Sequence, residues 1–403
     1  MEFYKIPFYK LFDGKEFYNF QQFLYSKNLD DSTLKRYLKN YQDTGYKFTD
    51  YQIPSIDLRG GDIQESIEIF NRVNSEGSTI SDEWKLSAMT INSDFRLGSL
   101  ISITLEQIQR YNFYDKRKKH ESFRELIYRC IQSSFGFLYL DNSKTDVLSL
   151  SKQSGFKDEV NKTLSNAVNV VEFLIREFYI TDLKFLPANI HFIFLVEFFN
   201  ISGSPDSQNL IKLKKWFWTT TYSNYFTVYN PAKRKTAFEH FRQFAFHHIE
   251  TPLFIDKDLS KLKTEKFPKM IDFGGVRKIA LALFMINHSV NEDNILEGKS
   301  NFNMFGRGVV EFKLFKNEKS TENVIFLVVD EIEDLEKMLF KTKDLSFLLK
   351  QEYKGQFSKL FINDKMREAY SDQNFKKVLE LRHNLILEKE RNFVESLGVQ
   401  YTD

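Results

Sequence analysis

Between residues 158 and 178 the apolar side chains fall at Val160, Leu164, Ala167, Val171, Leu174 and Phe178, three or four positions apart. Only a helix gathers such a series on one face, because successive residues advance by about 100°. That face must be covered, so the segment needs neighbours with stripes of their own. The chain supplies them at 121–140 and 186–199, then at 208–221, 231–248 and 273–287. A last stripe runs through Phe375, Val378, Leu379, Leu385, Ile386, Val394 and Leu397 and stops at Gly398. Pro231 suits a first helical turn and Gly398 a helix stop. Near the N-terminus, F-Y-N-F-Q-Q-F-L-Y and S-T-L-K-R-Y-L-K-N-Y predict two more helices, and 87–110 reads as mainly helical. With 42 phenylalanines in 403 residues, the helices have large side chains to bury, so a well-packed aromatic core is expected.

Strand patterning is scarce. Ile53, Ile56 and Leu58 alternate around Pro54, which predicts an edge strand or the beginning of a strand, ended by Gly60 and Gly61. Residues 308–315 alternate as a strand, and the apolar run 323–329 fits a strand or a helix start. Short helices are predicted at 344–353 and 364–370. The expected fold class is mainly α (α+β): a multi-helix bundle with a small strand-containing N-terminal segment and an α+β C-terminal region. The expected domains are 1–110, 111–290 and 291–403.

A net charge of +2 gives no global attraction for polyanions, so any nucleic-acid contact must come from a local patch. The single cysteine, Cys130, excludes an intramolecular disulfide and a multi-cysteine zinc site. M-E-F-Y-K-I-P-F-Y-K lacks the apolar core of a signal peptide. The apolar stretch 190–199 is too short for a membrane span and is interrupted by His191 and Glu197. A cytoplasmic protein with no membrane partner is expected.

The segment 62–84 reads D-I-Q-E-S-I-E-I-F-N-R-V-N-S-E-G-S-T-I-S-D-E-W. Asp62 and Glu65 fit a capping box, Ile63, Ile67, Phe70 and Val73 form a stripe, and Gly77 stops the helix. Ser81 caps the next helix, with Asp82 and Glu83 in a first turn whose dipole favours anions. The string I-F-N-R-V-N-S-E-G-S-T-I-S, preceded by Y-Q-I-P-S-I-D-L, resembles the middle motif of GmrSD-type proteins. The likeness runs from about residue 51 to the end, with degenerate strings outside this motif. It implies a place in phage defence among proteins that resemble modification-dependent restriction enzymes. It also implies a ParB- or sulfiredoxin-like nucleotide-hydrolysing half carrying D-G-Q-Q-R, and a C-terminal HNH nuclease.

The sequence departs from that pattern twice. Asp13-Gly14-Lys15 lacks the Gln-Gln-Arg, and the family's upstream Gln-Arg motif has no counterpart. Residues 291–349 hold no histidine, although E-N-V-I-F-L resembles the family's asparagine segment and puts Asn323 at that position. The reading is therefore a non-catalytic or partner-dependent component with a degenerate HNH-like region. Its partner would be a separately encoded nucleotidase-type protein, with DNA as a further partner. Under the resemblance, Asn71, Arg72, Asn74 and Gly77 face the nucleotide-binding half. The residue chemistry equally allows Arg72 and Asn74 to satisfy carbonyls at the helix end.

Glu311 and Lys313 have the E-x-K spacing of another nuclease class, in which Asp293 would help bind magnesium. The same spacing fits an edge strand with outward charges. No cofactor is expected apart from magnesium under this alternative. In R-Y-N-F-Y-D-K-R-K-K-H, read as a connection over 110–121, Lys116, Arg117, Lys118 and Lys119 are candidates for phosphate contact. Tyr111, Phe113 and Tyr114 would either stack bases or dock into the core. Lys233, Arg234 and Lys235 form a second basic cluster. His240, His247 and His248 lack metal-ligand spacing, and Trp216 and Trp218 read as core. A helical interaction scaffold is the third reading.

Overall fold

The structure, a computed structural model, describes residues 6–52, 60, 65–66, 69, 81–90, 95–137, 150–256, 262–292, 294–297, 308–316, 318–329 and 344–402. The chain divides into two compact units, Met1–Ser66 and Ile67–Asp403.

The first unit is a helical hairpin. A 3₁₀ turn, Phe8–Phe12, leads into α1 (Gly14–Tyr25) and α2 (Asp31–Thr49). Asp13 caps α1 by accepting from Lys15 N at 2.9 Å, so Asp13-Gly14 serves as a helix start. Phe17 and Phe20 of α1 pack on Tyr41 of α2, with centroids 5.1 and 5.2 Å away. Gly45 lets the 3₁₀ turn approach, since a Cβ there would lie 3.1 Å from Leu11 O. The strand predicted at 53–58 lies outside the described residues.

The second unit is mainly helical. Its helices are α3 (Asp82–Met89), α4 (Leu97–Gln109), α5 (Lys116–Ser134), α6 (Phe156–Phe178), α7 (Asn189–Ser202), α8 (Ser207–Tyr222), α9 (Tyr225–Val228), α10 (Pro231–Ala245) and α11 (Val276–Asn291). Two antiparallel strands follow, β1 (Gly308–Lys313) and β2 (Val324–Val329), with Gly308 opposite Val329 and Lys313 opposite Val324. The chain then forms α12 (Asp364–Ser371) and α13 (Phe375–Ser396). The stripe that predicts α6 meets α4, α5 and α7. Helix α7 is apolar nearly all round, as a helix enclosed by α5, α6 and α10 must be.

One hydrophobic core runs from Leu86 to Val399, so residues on both sides of positions 110 and 290 share it. A smaller core, with Leu314, Ile325, Leu349, Ile362, Met366 and Val378, belongs to the C-terminal region. No helix among the described residues is long and apolar enough to cross a membrane.

Two expectations are corrected. The connection expected over 110–121 ends at Asp115, and α5 begins at Lys116. Its first turns lack apolar periodicity because they are exposed, which hid the helix. The helix expected at 344–353 is two 3₁₀ turns, Ser346–Leu349 and Gln351–Tyr353, parted by an extended Lys350.

Candidate functional site

Asn71, Arg72, Asn74 and Gly77 lie outside the described residues, and the structure takes up the central motif again at Ser81. Ser81 Oγ accepts from Trp84 N at 3.3 Å, the expected cap. Glu83 stands in the first turn, as expected, and is buried there. Its carboxylate accepts from Arg124 Nε at 2.8 Å, Arg124 Nη2 at 2.9 Å and Ser87 Oγ at 2.7 Å. Arg124 also donates to Gly98 O and Ser102 Oγ, which ties α3 to α4 and α5. A Cβ at Gly98 would sit in contact with Arg124 Nη2 and Ser87 Oγ, 3.4 Å from each, so a side chain larger than alanine would press on both. Trp84 is 59% exposed, with the Arg124 guanidinium 5.8 Å from its ring. The motif therefore ends in an outward aromatic on a rigid support, the kind of residue that anchors interfaces.

The first basic run forms the start of α5. Asp115 caps it, accepting from Arg117 N at 2.9 Å, and Lys116, Arg117, Lys118 and Lys119 are all exposed. Phe113 and Tyr114 are buried in the core, which removes both from base stacking. The Tyr111 hydroxyl bonds to Glu172. Burial together with that bond pushes the phenol up to about 12. The second run is differently placed, at the start of α10. Lys233 pairs with Asp256 at 2.6 Å and Arg234 Nε donates to Tyr229 O at 2.8 Å, so internal contacts occupy both. Lys235 is exposed.

In the C-terminal region β1 presents Glu311 and Lys313 two residues apart, hence on one face of the hairpin. Asp293 lies outside the described residues. Asn323 is fully buried and closes the turn between the strands. Its Oδ1 accepts from Phe315 N at 2.8 Å, while Nδ2 donates to Phe315 O and Glu318 O, each at 2.8 Å. Both ends of that amide are committed to backbone. Arg382, driven down to about 9 by burial, donates to Glu322 O, Val324 O and Leu360 O. Arg367 similarly holds Leu348 O and Gln356 O.

Of the three candidate histidines, His240 faces Thr251 O and His248 faces Gln243, while His247 takes a left-handed backbone conformation. Among the described residues no three His, Cys, Asp or Glu side chains gather as a metal site. Trp216 and Trp218 are buried in the aromatic core. A cleft of about 490 Å³ opens between Thr90, Phe95, Gln153 and the start of α6 at Gly155 and Phe156.

Two buried networks escaped the sequence reading. Glu390 is wholly enclosed and takes Arg277 in a bidentate pair, Nη1 to Oε1 at 2.7 Å and Nη2 to Oε2 at 2.8 Å. Tyr222 and Tyr401 donate to the same carboxylate at 2.9 and 2.6 Å. This joins α8, α11, α13 and the residues after α13. Glu197 Oε1 accepts from Arg242 Nε at 2.9 Å, whereas Oε2 is buried with no hydrogen-bond partner among the described residues. Desolvation outweighs Arg242 and pushes the Glu197 carboxyl up to about 7. The signal for Glu390 was a charge at the phase of an apolar stripe, and for Glu197 a charge within an apolar run.

No family model matches the chain, and no curated protein or solved structure does so either.

Proposed function

We propose that this chain is a non-catalytic, partner-dependent component of a GmrSD-like anti-phage restriction system, acting with a separately encoded nucleotidase-type protein and contacting DNA. The observation that supports DNA contact is the cationic start of α5, where four basic side chains are exposed together. Helix dipoles disfavour cations at that end by some tenths of a kcal/mol each, so helix stability offers no reason for them. The partner reading rests on the resemblance and on exposed Trp84 at the end of the motif. The non-catalytic reading is supported by Asn323, whose hydrogen bonds serve a turn.

Two measurements test this. Full-length chain should bind duplex DNA with an affinity that falls steeply as salt rises, because neutralised phosphates release counterions. Retention by a neighbouring D-G-Q-Q-R gene product should be lost in Trp84→Ala with melting unchanged. Salt-insensitive DNA binding together with undiminished retention would remove the proposal and leave a scaffold role. The same-face placement of Glu311 and Lys313 on β1 favours a second reading, a magnesium-dependent nuclease. Plasmid nicking abolished by Glu311→Ala or Lys313→Ala would establish that reading instead.

A further inference from the structure

From Lys116 to Ser122 no side chain of α5 is buried, and Phe123 is the first that is. At about 1.5 Å per residue, roughly 10 Å of helix stands clear of the apolar packing that holds the rest of α5. Four consecutive positions on this tip are cationic. Successive helical positions step by about 100°, so Lys116, Arg117, Lys118 and Lys119 radiate around the whole circumference. Lys116 and Lys118 point to roughly opposite sides, and so do Arg117 and Lys119. Among the described residues none of the four side chains has a hydrogen bond or ion pair. The acidic residues of the tip are Asp115, whose Oδ1 serves the cap, and Glu121. His120 turns back toward Tyr114, whose hydroxyl lies 3.5 Å from its Nδ1.

A convex cationic rod suits a ligand that surrounds it with negative charge. A flat polyanion would meet one side and leave the opposite cations in water. The major groove of B-form DNA is about 12 Å wide and about 8.5 Å deep, with phosphates along both rims. A helix with its side chains is about 10–12 Å across, so the tip fits that groove in both width and reach. A-form RNA has a deep, narrow major groove that excludes such a helix. We propose that the first two turns of α5 insert end-on into the major groove of B-form duplex DNA, with Lys116 and Lys118 on opposite phosphate rims. The proposal rests on the DNA-contact reading above and adds the form of nucleic acid and the groove.

Fluorescence anisotropy of the full-length chain on a DNA duplex of two helical turns, and on the RNA duplex of the same sequence, tests it. DNA should bind at least about tenfold more tightly than RNA. Methyl green, a major-groove ligand, should compete, and netropsin in the minor groove should not. Changing all four cations to alanine should reduce the log–log salt slope by up to about 3.6, at about 0.9 per lost phosphate contact. These positions are exposed, and an unchanged melting curve checks that the variant folds. Equal affinity for both duplexes, or competition by netropsin alone, overturns the groove proposal while a reduced slope keeps DNA contact. A slope and affinity unaltered in the fourfold variant overturn both.

Discussion

Replacing Glu390 with glutamine removes the charge that neutralises Arg277. The acid has no solvent exposure and the guanidinium lies 2.7 and 2.8 Å from its two oxygens, so water cannot take over the role. Glutamine keeps one acceptor but turns an amide N–H toward the cation. Losing one partner of a buried pair costs about 3–5 kcal/mol, because the other charge stays desolvated. The rings of Tyr222, Phe267 and Tyr401, 5.5–6.0 Å from the guanidinium carbon, favour the lower end of that range. Arg277→Met with Glu390→Leu removes both charges and leaves the buried Tyr222 hydroxyl without its acceptor at about 1–3 kcal/mol, while the partly exposed Tyr401 hydroxyl can turn to water. The double variant should therefore be more stable than Glu390→Gln alone. Urea unfolding of the full chain, with the dependence on denaturant unchanged, reads both values. A Glu390→Gln variant within about 1 kcal/mol of the parent, or a double variant less stable than the single, refutes the argument.

Glu197 titrates near 7 in the fold against about 4.5 unfolded, so its contribution is complete below 4.5 and is lost as pH rises through 7, a change of about 3 kcal/mol. Glu197→Gln should flatten that decline between pH 4.5 and 7 in pH-dependent unfolding, and a retained slope would assign it elsewhere. His191 has the opposite sign. Burial lowers it to about 3, so its contribution is present above 6.5 and lost as pH falls toward 3, and His191→Phe should weaken the acid limb of the same profile. Asn323→Ala should cost about 2–3 kcal/mol and expose the amides of β1 and β2 to hydrogen exchange; protection equal to the parent's would dismiss the turn-closing role. Gly98→Val should destabilise the Glu83–Arg124 junction by about 1–3 kcal/mol in thermal melts, and an unchanged melt would show that the junction relaxes freely.

Helices whose buried stripe is apolar were legible, and α6 follows its stripe closely. In α13 the buried positions are Val378, Arg382, Ile386, Glu390 and Val394, each four residues after the last. Apolar periodicity finds three of these and passes over Arg382 and Glu390, which share the buried face because each has partners from other elements. Those partners are distant in sequence, so no local pattern announces them. Glu83 stands in the first turn as its sequence context predicts, but its partner Arg124 lies on another helix and went unannounced for the same reason. The start of α5 was hidden in the other direction, because two exposed turns need no apolar spacing. At the candidate site the basic residues were visible as a run, while their radial display depends on where burial begins, at Phe123.

Arg277 and Glu390 are 113 residues apart along the chain. At synthesis rates of about 5–20 residues per second, roughly 6–23 s pass between the making of one and the other. Over that interval the nascent chain holds Arg277 and the apolar face of α11 without the carboxylate and the last helix that cover them. The second unit therefore completes its core only after Glu390 is made, and a ribosome stalled earlier presents the cell with an unfinished, aromatic-rich intermediate. A shortened message for this protein should yield substrates for chaperones and proteases rather than a smaller working domain.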